Sequence, residues 1–334
     1  MGYKLIDADE YTHTPGTQEN WNESRYIDFW DPAQRVGGWF RIGNRPNAQY
    51  AEMSACINLP DGRTAFMFNR PKITANTLTS GDQSWEVVTP WDVTKVSYHG
   101  EVMILDDAWD LTDPKTAFQS APRVHADIDL VTRAYGLESI MGKDQDHIDL
   151  IFLPGQADFH YQHLIRTEGT VKIGNQTWNV AGRGGKDHSW GPRNWHAKIY
   201  LRWLICNIDD KNGFILQRAV GPTKQCRSGH ILDNGEFHIV DDFEMKNYFA
   251  GAPHYELLKT DLVIKSGNKR WTVVGRPQDW LPLRHLQKNE KGEMALLRIV
   301  KSPTDWTVNG KLKGAGMSEI HDLMVDGVPY GLHD

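Results

Sequence analysis

Fourteen residues, Gly182 to Trp195 (GRGGKDHSWGPRNW), place Lys186, Asp187, His188, Trp190, Arg193 and Trp195 among four glycines. A surface loop has no use for two tryptophans, and a core strand does not carry Lys, Asp and His in a row. The rim of a strand facing an apolar cavity can use both. In extended chain the side chains alternate, so His188 and Trp190 share one face and Asp187 and Ser189 the other. An imidazole beside an indole is a plausible acid–base group in a hydrophobic pocket. The same residues also fit a scaffold, with Trp190 and Trp195 in the core and Asp187 paired to Arg183 or Arg193 across a turn. A second pair, Glu319 and His321, has i, i+2 spacing and so shares one strand face. Burial in an apolar barrel would raise the glutamate and suit it to donate a proton; a rim glutamate in water, or one paired with an arginine, is the alternative.

Other polar groups sit in strand-like runs. Tyr200 and Arg202 share a face. Arg202, inside an apolar run, must find an anion or a carbonyl, either on a substrate or on Asp187 or Glu319. Trp39 and Arg41 face one way, as cavity wall or domain interface. The expected roles are His188 as base or acid, Glu319 as its complementary acid, and Trp190 and Trp195 as walls whose π faces steady a developing cation. Arg193 and Arg202 would orient a polar group, with Tyr200, Trp39 and His321 completing the binding surface. No metal is expected. His160 and His163 are three apart and point to opposite faces of a strand, His125 and Asp127 lack a third ligand, and there is no HExxH, EF-hand, P-loop or dinucleotide fingerprint. No cofactor is expected, and no G-x-S-x-G elbow marks a serine nucleophile.

The elements that must position these residues are strands. Val124 to Leu130 alternates apolar and polar without a break. Tyr200 to Cys206 reads as a buried strand, Tyr255 to Ile264 as another, and Glu293–Val300, Asp305–Leu312 and Ser318–Val325 as a closing meander. Asp61-Gly62, Gly174-Asn175, Asn212-Gly213, Asn234-Gly235, Asn309-Gly310 and Asp326-Gly327 are hairpin turns. Helices are few and short, with Leu137 to Lys143 giving one or two turns. So many strands exceed one small barrel, and two packed antiparallel β domains, 1–190 and 191–334, accommodate them. A short echo, Gly174-Asn175 with Trp178, Val180, Gly182 and Arg183 against Gly267-Asn268 with Trp271, Val273, Gly275 and Arg276, supports related halves.

Composition narrows the class. The chain has 334 residues, 40% hydrophobic and 24% charged, as in a globular protein. A net charge of −6 with no polybasic run gives no reason to expect nucleic acid or an anionic membrane. The three cysteines, Cys56, Cys206 and Cys226, form no disulfide framework, which fits a reducing cytoplasm. No stretch has signal-peptide or membrane-spanning character. Thirteen tryptophans are many for this length; in a β protein they often line something concave, although core packing must account for most.

The segment Gly182–Trp195 resembles the signature of the carotenoid 1,2-hydratase (hydroxyneurosporene synthase)/AttH-like superfamily, closest to its bacterial members of unassigned function. It matches at Gly182, Gly184, Asp187, His188, Ser189, Trp190, Gly191 and Arg193, with Lys186 where the family has arginine. Weaker likeness lies in Gly37-Gly38-Trp39-Phe40-Arg41, in Leu59 to Arg63 and in Gly314 to Glu319. The resemblance implies two packed lipocalin-like β-barrels with a hydrophobic cavity and chemistry free of redox cofactors, such as water addition to isoprenoid double bonds or, in fungal relatives, cyclisation. It also implies catalytic roles for His188 and Trp190. The Tyr-x-Asp pair of the hydratases has no counterpart in Phe214 to Arg218, so either Glu319 replaces the missing acid or the reaction differs. The resulting expectation is a lyase or isomerase acting on a hydrophobic small molecule, isoprenoid, steroid-like or lignin-type aromatic, with a homodimer compatible. The rival is a lipocalin-like binder. The discriminator is whether His188 and a carboxylate line one void with perturbed pKa values.

Overall fold

Alternating segments become strands almost from end to end. The computed structural model describes residues 2–288 and 292–333. Ten strands form the first sheet: β1 (Trp21–Asp31), β2 (Val36–Arg45), β3 (Tyr50–Asn58), β4 (Thr64–Asn69), β5 (Thr79–Ser80), β6 (Gln83–Thr89), β7 (Val93–Leu105), β8 (Arg123–Ala134), β9 (Phe159–Ile173) and β10 (Gln176–Pro192). Their order is β4-β3-β2-β1-β10-β9-β8-β7-β6-β5, and β7 pairs back onto β4. Eight strands therefore close a ring around Ile27, Phe29, Phe40, Ile42 and Ile128.

The second sheet holds β11 (Tyr200–Asp209), β12 (Asn212–Val220), β13 (Gln225–Asp233), β14 (Glu236–Ile239), β15 (Asp242–Phe249), β16 (Leu257–Ser266), β17 (Lys269–Pro277), β18 (Leu281–Lys288), β19 (Met294–Val308), β20 (Leu312–Val325) and β21 (Val328–Pro329). It runs β14-β13-β12-β11-β20-β19-β17-β16-β15 around Phe214, Leu216, Phe243, Trp271 and Trp306. All ladders in both sheets are antiparallel, the all-β architecture expected.

A third core lies between the sheets: Tyr26, Trp39, Phe66, Leu201, Trp203 and Met317. These residues alternate in sequence with those that fill the barrels. In β1, Ile27 and Phe29 point into the first barrel and Tyr26 out towards the second; in β11, Leu204 and Cys206 point in and Trp203 and Ile205 out. A strand covered on both faces loses the usual polar side, which is why Tyr200 to Cys206 reads as a nearly continuous apolar run.

Three details depart from the sequence reading. Glu293–Val300 and Asp305–Leu312 are not separate strands. β19 continues through Pro303, its first half paired with β18 and its second with β17. Proline, which donates no hydrogen bond, stands where the partner changes, so no ladder bond is missed. The turn before β12 is made by Asp210 and Lys211, and Asn212-Gly213 begins the strand. Leu137–Ser139 is a single 3-10 turn, and the longer helix Gln145–Ile151 starts later because the Asp144 side chain caps it, accepting from the His147 N–H at 3.0 Å. The Asn234-Gly235, Asn309-Gly310 and Asp326-Gly327 hairpins have positive φ at both residues, the geometry those dipeptides favour. Among the described residues no helix is long and apolar enough to cross a membrane.

Candidate active site

The central motif lies in β10, between β1 and β9, with His188 paired to Arg25 and Asp187 to Tyr26. The glycines let it fit there. A Cβ on Gly184 would collide with the Asp28 carbonyl, and one on Gly185 would press on Ile205 of the second barrel. The two faces of the motif then meet different surroundings.

His188 and Trp190 point into one end of the first barrel, which the N-terminal residues 3–13 cover. His188 is fully buried. Its Nε2 lies 2.7 Å from Glu23 Oε1 and its Nδ1 3.3 Å from the Tyr161 hydroxyl. Glu23 also receives His13 Nδ1 at 2.9 Å and Arg25 Nη2 at 3.1 Å, and Asn76 Nδ2 on its other oxygen. Tyr161 donates to Glu10, which accepts Lys186 Nζ at 2.6 Å. Trp190 stacks on the His13 ring, centroids 3.9 Å apart. Burial raises the Glu23 carboxyl, but Arg25 and the two imidazoles override it and hold the group far below the carboxylate range. Burial and the Arg25 charge lower His188 to about 4, so its imidazole is neutral near pH 7. His13, Glu23 and His188 bring potential metal-ligand atoms within 4.8 Å of one another, a cluster that spacing alone did not disclose. A cation would have to displace the Arg25 guanidinium from Glu23 Oε1, so the arrangement fits a hydrogen-bonded clasp better than a metal centre.

Asp187 and Ser189 face the other way, into a cavity of about 450 Å³ between the two barrels. Its first wall is the outer face of β1 to β4, with Tyr26, Trp39, Arg41, Glu52 and Phe66. Its second wall is the outer face of β11, β19 and β20, where Trp203, Lys301 and Glu319 are cross-strand neighbours and His321 follows on the same face. Glu319 is gripped from both sides, one oxygen by Lys301 Nζ and the other by His321 Nε2. The Lys301 ammonium stands 4.1 Å from the Tyr26 ring centroid and 5.0 Å from that of Trp39, a cation held over two aromatic faces.

Burial lowers Lys301, against the pull of Asp28 and Asp187. Asp28, which accepts the Gly185 N–H at 3.1 Å, is raised by burial. Burial and the surrounding cations Lys198, Lys301, Arg202 and Arg193 keep His321 neutral, and its Nδ1 has no hydrogen-bond partner. Asp187 sits 3.4 Å from His160 Nε2; burial would raise it, but His160, Arg193 and Lys301 hold it down.

The structure therefore gathers Glu319, His321, Trp39, Arg193 and Trp195 around one cavity. His188 and Trp190 are not part of it. The alternation expected in the motif is real, but the face expected to carry chemistry closes the barrel end. Arg202 and Tyr200 also miss the cavity. Arg202 is fully buried and spends its guanidinium on Asp322 (3.0 and 3.1 Å), the Gly331 carbonyl (2.7 Å) and the His321 carbonyl (2.9 Å), not on Asp187, Glu319 or a ligand. Tyr200 stacks on Tyr330. Sequence reasoning missed Lys301, Lys198 and His160. A lysine two residues beyond Ile299 on an otherwise apolar strand face was the available signal for the first. Of the thirteen tryptophans, only Trp39, Trp195 and Trp203 line the cavity.

A family model described as a domain of unknown function (DUF7064) matches residues 7–324. No curated protein matches the chain. Among solved structures, CghA with Sch210972 superposes with a TM-score of 0.58 at 9% identity, covering 95% of this chain and 95% of that one. Kievitone hydratase from Nectria haematococca gives 0.53 at 11%, covering 95% and 92%. An AttH (NE1406) from Nitrosomonas europaea gives 0.53 at 11%, covering 92% and 94%. At such identities these likenesses establish a shared fold, the lipocalin-like AttH type that the sequence signature implied.

Proposed function

The chain belongs to the DUF7064 family, and with that membership as premise we propose that the protein is a lyase of the hydratase–dehydratase kind, or an isomerase, working by acid–base chemistry on a hydrophobic small molecule held between its barrels. The observation that carries the reading is the Lys301–Glu319–His321 cluster set into an aromatic cavity. Apolar walls with a few convergent polar groups are the usual make-up of a small-molecule site, and titratable groups with shifted pKa values inside one are the usual mark of proton transfer. A hydratase on the same fold supports the reading.

The groups divide the work as follows. In the elimination direction the Glu319 carboxylate takes a proton from carbon while the Lys301 ammonium gives one to the departing hydroxyl, which leaves as water and a carbon–carbon double bond forms. Glu319 then returns its proton to Lys301 across their direct contact, and the cluster is restored. Hydration is the reverse: Lys301 activates water by taking its proton as Glu319 protonates carbon. His321 positions Glu319 through Nε2. Tyr26 and Trp39, which flank the ammonium, also present π faces to positive charge developing on a substrate. These side chains balance every proton, so the reading calls for no cofactor. General acid–base groups of this kind typically contribute about 10²- to 10⁴-fold.

Mass spectrometry of the natively purified protein identifies a retained ligand. That ligand, incubated with the protein in H₂¹⁸O and separately in D₂O, should acquire one ¹⁸O on hydration or deuterium at carbon on isomerisation. A ligand that is retained but recovered undehydrated and without either label would replace the enzyme with a binding protein.

A further inference from the structure

The cavity has a sign opposite to that of the whole chain. The protein carries a net charge of −6, yet its cavity is lined by Arg41, Arg70, Arg193, Lys198, Arg284 and Lys301 against three carboxylates, Glu52, Asp187 and Glu319. Two of those carboxylates are committed, Glu319 to Lys301 and Glu52 to Arg41 and Arg45. Among the described residues no carboxylate lies within ion-pair distance of Arg193 or Lys198.

The surplus is concentrated at Trp195. The guanidinium carbons of Arg41 and Arg193 each lie 5.2 Å from its ring centroid, and Lys198 Nζ lies 5.4 Å away. Three cations thus surround one indole. Cation–π attraction offsets only part of the cost of crowding like charges where water is scarce. Donors there are left over as well. Arg193 donates to the Ser189 hydroxyl at 2.5 Å but its buried Nε has no partner; Arg41 bonds Ser24 and Glu52 but its buried Nη2 has none; the indole N–H of Trp195 has none. Buried donors in native proteins are nearly always paired. Three orphans on three neighbouring side chains, in a cavity, describe a missing acceptor. Burial and the Arg193 charge bring Lys198 down to about 7, and burial with Arg41 brings Arg193 down to about 10; Asp187 pulls both the other way without offsetting the crowding.

We infer that Arg193, Lys198, Arg41 and Trp195 form a subsite for an anionic head group, so that the natural ligand is an amphiphilic organic acid, a carboxylate on an apolar body. The inference rests on the reading that the cavity between the barrels is the ligand site, and gives that ligand an orientation. The anion sits among the cations at Trp195. The apolar body lies along Tyr26, Trp39, Phe66 and Trp203, in the same cavity as Lys301, Glu319 and His321. A planar carboxylate takes paired N–H donors from a guanidinium, the geometry in which such bonds are shortest and strongest.

The test is fluorescence titration with 1-pyrenebutyric acid and its methyl ester, which share a body and differ in head charge. Hydrogen bonds to charged groups contribute about 1.5–3 kcal/mol, so the acid should bind wild-type protein about 10- to 100-fold more tightly than the ester. In Arg193→Gln/Lys198→Met that preference should collapse towards unity while the ester affinity stays put. Arg193→Gln alone should lose part of it, and thermal melting of both variants verifies their fold. If acid and ester bind wild type equally well, the anion subsite is refuted and the apolar cavity stands. If neither binds, the ligand cavity itself is refuted and the subsite with it. Inorganic phosphate competing with the acid at millimolar concentration would show that the subsite takes anions generally, and would overturn the carboxylate assignment.

Discussion

Two clusters of buried charge stand on opposite faces of the same strand, β10, and they are built differently. At the closed end of the first barrel, Glu23, Arg25, His13, His188, Tyr161, Glu10 and Lys186 bond one another. Between the barrels, Glu319 is likewise held by Lys301 and His321, but around it stand His321 Nδ1, Arg193 Nε, Arg41 Nη2 and the Trp195 N–H, all without partners. The closed-end groups named here bond one another and so fix one arrangement of the chain, the neighbouring buried His163, both of whose ring nitrogens lack a partner, being the exception. A network with vacant donors and acceptors beside an apolar void is arranged around something else. The difference warns against reading a motif by residue type alone. Aspartate, histidine, serine and tryptophan in a row send two residues to each network, and the imidazole goes to the one at the closed barrel end.

The largest effect that would sharpen this contrast is on stability at the closed end. Glu23→Ala leaves the Arg25 charge and the His13 and His188 imidazoles buried without their carboxylate. Breaking a buried ion pair from one side costs about 3–5 kcal/mol, to be read from urea unfolding. A cost below about 1 kcal/mol, the range of an exposed pair, would mean the network is not structural.

Acid should act next, and also through the closed end. Burial raises Glu10, but Lys186 overrides it and holds the carboxyl at about 2, below its unfolded value. A depressed carboxyl stabilises the fold above the unfolded pKa and loses that stabilisation as pH falls towards 2. His188, at about 4 in the fold, binds its proton more readily when unfolded, so its contribution also declines as pH falls from about 6.5 towards 4. The melting temperature should therefore fall steadily from pH 7 to pH 4. In His188→Gln the part of the slope between pH 6.5 and 4 should flatten in part, the remainder coming from the other histidines that burial lowers, His163, His230, His285 and His321. A slope unchanged in that variant would place the titrating group elsewhere.

Much of the fold could be read from the chain because two signals agree along it, side-chain alternation and Asn-Gly or Asp-Gly turns. They failed where tertiary pairing overrode them. The expected strands Glu293–Val300 and Asp305–Leu312 are one strand, and Pro303, between them, is the point at which β19 exchanges partners. The site was legible only by halves. Alternation correctly separated His188 and Trp190 from Asp187 and Ser189, and it put Glu319 with His321. It could not say which side of β10 looks into the cavity, because both sides of that strand are covered, one by the barrel's own contents and one by the second barrel. Lys301 escaped because the expected strand ended at Val300. Lys198 escaped because it lies between strands, where periodicity carries no information.

The central claim is that chemistry belongs to the cavity between the barrels and that His188 belongs to the clasp. Parallel measurement of kcat and melting temperature for Glu319→Gln and His188→Ala, on the ligand identified from the protein, tests it most directly. Glu319→Gln should lose about 10²- to 10⁴-fold in kcat with its melting temperature little changed, while His188→Ala should melt lower and keep near-normal kcat. The opposite pattern, turnover abolished by His188→Ala in a protein of undiminished stability and retained by Glu319→Gln, would contradict it.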